Sequence, residues 1–291
     1  MTRPFDAVEI VFNPNSTGDA QERSEELAAQ LAERAPELPV TMRPTERAGH
    51  GRDIARDAAR AGRPLVVSVS GDGGYNDVVN GLMEAGADAA YAAVLAAGNA
   101  NDHRRVTRER PLIDAIVDGD VTRLDLLRMT TDDEREVRYA HSYIGLGITP
   151  TVALELEKGG KGSIREVIST IRTFSKFRPF QIETDDGLES FDSVIFANIR
   201  EMAKFAVLSE EGEPDDGEFE VVILRHTAKW RVLSTAVRAA IWGLGPQPTA
   251  RRYRFTTVDP MPIQVDGEVS EFERGTSVTV EIVPRALRTV L

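Results

Sequence analysis

The 291-residue chain has no cysteine, so no disulfide braces it and no thiolate can act as nucleophile or metal ligand. That absence fits a reducing compartment such as the cytoplasm. Lysine is nearly missing as well: Lys158, Lys161, Lys176, Lys204 and Lys229 are the only ones, and arginine carries the remaining positive charge. With 47 acidic against 35 basic residues the net charge is -12, and without a basic face no nucleic-acid partner is expected. No apolar run approaches the roughly 18 residues that would span a bilayer. The N-terminus enters a strand without a secretory leader, so a soluble protein is expected. An acidic, lysine-poor surface also suits a salt-loaded cytosol, where ionic strength screens self-repulsion. A halophilic source is one expectation and an ordinary acidic protein the other; stability unchanged between low and molar salt would exclude the first.

What is present begins with an alternation of strands and helices. Val8–Phe12 reads as a strand, stopped by Asn13-Pro14-Asn15-Ser16-Thr17-Gly18, and Gln21–Arg34 carries Leu27, Ala28 and Leu31 at helical spacing. Pro39–Arg43 reads as a second strand, His50–Ala61 as a helix, Leu65–Ser70 as a third strand and Tyr91–Leu95 as a fourth. That order predicts a parallel α/β sheet, whose ligands bind outside the carboxyl ends of the strands. After a short helix near Pro111–Val117 the rhythm changes to strand-like segments: Val121–Met129, Val137–Ile144, Phe180–Thr184, Phe191–Phe196, Phe219–Leu224, Tyr253–Thr257 and Val278–Val283. Helical segments at Ile164–Phe177 and Lys229–Trp242 interrupt them. The predicted fold is therefore an α/β nucleotide-binding domain over residues 1–122 and a β-rich antiparallel domain over 123–291, with the extreme C-terminus able to pack back on the first. The boundary is expected near Asp120–Leu124. The strands of the second domain offer an edge on which two copies could pair.

The most informative stretch is Leu65–Gly81. A β-branched run meets Gly71-Asp72-Gly73-Gly74, and Tyr75-Asn76-Asp77-Val78-Val79-Asn80-Gly81 follows at once as a helix. Glycines there let a ligand approach the backbone amides, and the helix N-terminus favours phosphate. Asp72 would repel a phosphate unless a cation such as Mg²⁺ stood between them or the carboxyl took a proton. A plain strand-helix turn with an aspartate cap accounts for the same residues.

Four features in this order resemble the diacylglycerol kinase catalytic family, whose relatives include sphingosine and ceramide kinases. They are Asn13-Pro14 closing the first strand, Ser70-Gly71-Asp72-Gly73 with Asn76–Gly81, Gly98-Asn99-Ala100-Asn101-Asp102 after the fourth strand, and a late Asp266-Gly267-Glu268. The resemblance implies transfer of the γ-phosphoryl group of ATP, with Mg²⁺, to a lipid hydroxyl in a cleft between two domains, by a cytoplasmic enzyme acting peripherally at a membrane surface. It implies nucleotide contacts from Asn13, Pro14, Asn15, Ser16, Thr17, Thr45, Gly71, Asp72, Gly73, Gly74, Tyr75, Asn76, Asp77, Gly98, Asn99, Asn101 and Glu268. It gives Asp72 to the Mg²⁺-phosphate network and Asp266 the role of general base, with Asp102 as a further metal-side carboxylate and Asp216, in Asp215-Asp216-Gly217, holding a structural Mg²⁺ with nearby backbone carbonyls. Asp216 has Glu213 and Glu218 nearby in sequence, and a hairpin turn explains it equally well. Asp266-Gly267 is likewise a standard hairpin dipeptide, and Asp102 suits a helix cap.

Three positions depart from the common family pattern: Gly74 stands where most members have threonine, Gly98-Asn99 replaces Gly-Thr, and Ala97 replaces a frequent proline. Sphingosine kinases also lack that threonine. His103-Arg104-Arg105 could meet phosphate charge or form a solvated helix turn. In Lys229–Trp242, Trp230, Leu233, Val237 and Ile241 form an apolar stripe edged by basic residues, suited either to a membrane interface or to a core-facing helix. His50, His141 and His226 show no metal-ligand spacing. Two other readings stay open: a soluble-substrate kinase of the NAD kinase type, and a nucleotide-binding protein without turnover.

Overall fold

A computed structural model of the chain describes residues 3–16, 18–86, 90–97, 102–107, 110–132, 136–147, 179–202, 206–207, 212–225 and 245–290. The predicted helices at Ile164–Phe177 and Lys229–Trp242, with Trp230 and Trp242, lie outside the described residues. The chain divides into two compact units, residues 1–126 with 283–291 and residues 127–282.

In the first unit β1 (Ala7–Phe12), α1 (Ala20–Arg34), β2 (Val40–Pro44), α2 (His50–Ala61), β3 (Pro64–Ser70), α3 (Asp72–Ala85) and β4 (Tyr91–Ala96) alternate, followed by α4 (Asp102–Thr107) and α5 (Leu112–Asp118). The sheet order is β4-β3-β1-β2 and every pairing is parallel, with Val11 opposite both Arg43 and Ser68. Residues 64–69 of β3 are buried on both faces, as expected for a central parallel strand covered by helices. Leu65, Val67 and Val69 join Ile10, Leu27, Leu31 and Ile116 in one core. On α1, Ala20, Ser24, Leu27 and Leu31 form the buried stripe, at spacings of three and four. The buried residues of α2 are all small, Gly51, Ala55, Ala58 and Ala59. A tight crossing explains them: a Cβ on Gly81 of α3 would lie 2.2 Å from the Arg52 carbonyl oxygen. Glycine at 81 is therefore required for close packing rather than for an unusual φ.

The second unit is antiparallel. Its elements are most of β5 (Val121–Thr131), then β6 (Val137–Ala140), β7 (Tyr143–Gly147), β8 (Phe180–Thr184) and β9 (Gly187–Ala197). A small pair, β10 (Glu201–Met202) and β11 (Ala206–Val207), precedes β12 (Phe219–Arg225), β13 (Thr249–Ala250), β14 (Arg252–Thr257), β15 (Met261–Val265), β16 (Glu268–Phe272) and the start of β17 (Ser277–Val290). The pairing runs β16-β15-β7-β9-β8-β14-β17, with β12 also on β9. Phe191, Phe196, Phe219 and Phe255 centre its core, with Phe196 edge-on to Phe219 at 5.8 Å.

Two strand expectations need correction. Val137–Ile144 is not one strand, because His141 and Ser142 break it into β6 and β7. The last strand does not end at Val283 but continues to Val290 through Pro284 and Arg285. Arg285 has φ +54, and its N–H donates to the buried Asp125 carboxylate at 2.6 Å, which holds the irregularity within the strand. Beyond it, Thr289 pairs in parallel with Ala92 of β4.

Candidate functional site

Parallel pairing brings the carboxyl ends of β1, β2 and β3 side by side in the first unit, and the loops that follow them meet there. Thr45 N–H donates to the Phe12 carbonyl at 2.8 Å, tying the end of β2 to the end of β1. The Asn13 side chain accepts the Asn15 N–H at 2.9 Å, and Ser16 N–H returns to the Asn13 carbonyl at 3.2 Å, so residues 13–16 form a tight turn. A pocket of about 390 Å³ opens between these loops and α3, bounded among others by Asn13, Asn15, Thr45, Ser70, Gly74 and Asp77. Pro14 lines a neighbouring depression of about 320 Å³ with Asp19, Glu22 and Glu25.

The glycine loop does locally what its composition predicts. Gly71 is extended at φ -88°, ψ -170° and caps α3, its carbonyl accepting the Tyr75 N–H at 3.1 Å. The first amides of a helix lack intrahelical partners, so they are donors at this end of the pocket. Helical periodicity then sorts the residues that follow. Gly74 and Asp77, three apart, face the pocket, whereas Tyr75 is buried against His103 with ring centroids 5.2 Å apart. Asn76 is 4% exposed and its amide oxygen accepts from Asn80 at 3.0 Å. These two predicted nucleotide contacts thus have core partners, on faces of α3 turned from the lining residues. Asp72 is partly exposed in the first turn, and one of its oxygens accepts the His103 N–H at 3.4 Å. His103 itself is buried, so of the three residues 103–105 only Arg104 is described as exposed.

The opposite wall is the loop after β2. Sequence reasoning picked only Thr45 from it, yet Glu46, Arg47 and Gly49 also line the pocket. Glu46 N–H donates to His50 Nδ1 at 3.1 Å, and Gly49, at φ +72, makes the turn into α2 that a side chain would strain. Arg47 pairs with Asp53 at 2.5 Å, and Asp53 also binds Arg56 at 2.8 Å. The hydrogen bond from Arg47, then that from Arg56, holds the Asp53 carboxyl below its ordinary value.

A Mg²⁺-nucleotide suits the donor set on this side of the molecule. Mg²⁺ is commonly held by one or two carboxylates together with substrate phosphates, not by an all-protein cage. Asp72 supplies one carboxylate beside a helix N-terminus of the kind that favours phosphate. Among the described residues no group of three or more His, Asp or Glu is clustered to hold a metal alone.

Asp266, in the second unit, sits in a different setting. It begins the two-residue turn between β15 and β16 with φ +44, followed by Gly267 at φ +96, the pairing expected of a tight hairpin. Its side chain is fully buried. One oxygen accepts the N–H groups of Ser142 and Tyr143 at 3.0 and 2.9 Å, and the other accepts the His141 N–H at 2.6 Å. The His141 ring closes on the same carboxylate, with Nε2 3.3 Å from Oδ2, while its Nδ1 lies 2.8 Å from Ser142 Oγ. Asn198 holds the segment from its other side, donating to the His141 carbonyl at 3.3 Å and, from its backbone, to the Ser142 carbonyl at 2.8 Å. This explains the break between β6 and β7: residues 141–143 turn their amides to a carboxylate. A signal was present in the sequence, two polar residues interrupting an apolar strand, but nothing tied His141 to a residue 125 positions later.

The remaining site residues are placed as follows. Glu268, first in β16, lies 4.0 Å from Arg138. Asp216 accepts the Glu218 N–H at 2.9 Å in a local turn, Glu213 pairs with Arg200, and Glu218 binds Thr249 and Arg251. Hydrogen bonding from Thr249, then from Arg251, lowers the Glu218 carboxyl from its ordinary value. Gly73 is the second residue of α3. Thr17, Gly98, Asn99 and Asn101 lie outside the described residues, as does the side chain of Asp102.

The chain is similar to known kinases in sequence and fold. Residues 7–129 match the diacylglycerol kinase catalytic domain. A diacylglycerol kinase of Staphylococcus epidermidis is 26% identical over 226 residues, covering 74% of this chain and 69% of that protein. One from Staphylococcus saprophyticus is 24% identical over 226 residues, covering 74% and 72%. The fold is that of a crystal structure described as a diacylglycerol kinase from Bacillus anthracis, with TM-score 0.74 at 18% identity over 100% of this chain and 98% of that one. The phosphate-suited loop over residues 70–74 thus falls within the region that matches the diacylglycerol kinase catalytic domain.

Proposed function

We propose that the protein is an ATP- and Mg²⁺-dependent lipid kinase that transfers the γ-phosphoryl group to a lipid hydroxyl. One observation carries the reading: the loops after β1 and β2 meet the end of β3, through Ser68 and Ser70, at a pocket that Gly74 and Asp77 of α3 also line. In phosphoryl transfer the protein contributes positioning and charge neutralisation more than covalent chemistry. The turn at Asn13–Ser16 and Thr45 would orient the nucleotide, and the amides at the start of α3 would face its phosphates. Asp72 would hold Mg²⁺, which when bound offsets phosphate charge. The names of the similar kinases support a lipid acceptor; we extend the proposal to an acceptor of diacylglycerol, sphingoid or isoprenoid-ether type, met peripherally at a membrane surface.

The resemblance assigns Asp266 the proton of that hydroxyl. Its full burial and three backbone donors support a role through the segment it holds, since its oxygens are already engaged by the amides of residues 141–143. In this reading Asp266 is a positioning residue.

The test is transfer of labelled γ-phosphate to diacylglycerol dispersed in detergent, with NAD as the competing acceptor. Wild type should label the lipid, and Asp72→Ala should lower the rate at least about a hundredfold, the scale of losing one group that stabilises developing charge. Labelling of NAD alone would move the protein to the soluble-substrate class. Nucleotide binding without transfer to either acceptor would make it a binding protein.

A further inference from the structure

Strand β3 presents two hydroxyls to the pocket. Ser68 and Ser70 lie on the face opposite the core positions Leu65, Val67 and Val69, as the period of two requires, and both line the cavity. Their Oγ atoms are 2.7 Å apart, and Ser70 Oγ also donates to the Gly71 carbonyl at 2.9 Å. Ser68 is buried and Ser70 is partly exposed, so the inner hydroxyl steadies the outer one. The Gly71 carbonyl does not depend on Ser70, because the Tyr75 N–H also donates to it. Ser70 can therefore turn its proton to a ligand at little cost.

Gly74 stands directly across from this pair. Its φ is not in the left-handed region, so glycine is not there for backbone freedom. Space is the reason: a Cβ at 74 would lie 2.7 Å from both Cβ and Oγ of Ser70. Rotating the serine relieves the contact with Oγ but not the contact with Cβ. A side chain at 74 and a serine at 70 exclude each other unless the strand or helix shifts.

We propose that Ser70 supplies the side-chain hydroxyl that contacts a phosphate of the bound nucleotide, and that Gly74 is the space which keeps this serine in place. The inference rests on the nucleotide reading above and extends it to a coupled pair of residues. A hydroxyl on the strand reaches the region that a side chain in the first turn of α3 would otherwise fill.

The experiment is calorimetric titration of the full chain with Mg-ADP and with adenosine, combined with thermal melts in the absence of nucleotide. Ser70→Ala should weaken Mg-ADP about tenfold, the loss of one hydrogen bond to a charged group, and adenosine less than about twofold. Ser70→Gly with Gly74→Ser should return Mg-ADP affinity to within about threefold of wild type. Gly74→Ala should lower the melting temperature in the wild-type background and leave it unchanged in the Ser70→Gly background, as expected for two sites in contact. Unchanged Mg-ADP affinity in Ser70→Ala, or an equal loss for adenosine, would overturn the hydroxyl contact. An equal melting cost of Gly74→Ala in both backgrounds would overturn the spacing role. A wild-type protein that binds neither compound would overturn the nucleotide reading and the contact with it, while the melts would still decide the packing.

Discussion

Asp72 and Asp266 are each followed by glycine and each stand at the end of an apolar strand, but their surroundings give them opposite chemistry. Asp72 opens α3 partly exposed, with one oxygen accepting from the His103 amide. Asp266 is sealed, and its two oxygens take three backbone N–H groups and face the His141 ring. A carboxylate that stays accessible beside helix amides can share a cation with a ligand. One enclosed by amides instead fixes the strand break that surrounds it. In the proposed reading the same dipeptide thus serves binding in one unit and architecture in the other.

The largest test of that contrast is stability. Asp266→Asn puts amide hydrogens where three buried N–H donors converge, so unfolding in urea should lose about 3 kcal/mol. Asp72→Asn should stay within about 0.5 kcal/mol of wild type, as for surface changes outside the core. Equal shifts in the two variants would erase the distinction. A smaller effect separates the ring of His141 from its amide: His141→Asn keeps the backbone donor and should cost about 1 kcal/mol in the same measurement. A loss as large as that of Asp266→Asn would make the ring the chief partner.

The smallest effect belongs to the pocket wall. Asp53 is held below its ordinary value by Arg47 and Arg56, so its contribution is complete above the usual carboxylate range and is lost as pH falls through the lowered value. The pair is exposed and salt screens it. Wild type should therefore melt slightly above Asp53→Asn near pH 6 at low salt, and the two should converge at the acid end and in molar salt. A difference that grows on acidification would reverse the assignment.

The first unit was legible because central parallel strands leave near-continuous apolar runs and their loops carry glycine, proline and asparagine. The second was harder to read. Val137–Ile144 looks like one strand because side-chain pattern says nothing about which amides a distant carboxylate will claim. Pro284-Arg285 looks like a terminator because proline lacks a donor, whereas Asp125 lets β17 pass through. In the site, Gly71 and Gly74 were read from the loop, but Ser70 was not singled out as a contact. Its proposed role rests on strand and helix lying so close that a Cβ at 74 would fall 2.7 Å from this serine, which no linear spacing encodes.

The return of β17 to the first unit has a consequence for the order in which that unit can be completed during synthesis. Residues 127–282 must be translated before Thr289 exists to pair with Ala92, although β1 to β4 have long since left the ribosome. Throughout that interval the apolar β4 lacks the neighbour that β17 later provides, and an open strand edge of this kind invites pairing with other chains. The nascent protein is therefore most exposed to misassembly while its second unit is being made, and the burial of Leu287, Thr289 and Val290 is the step that ends that exposure.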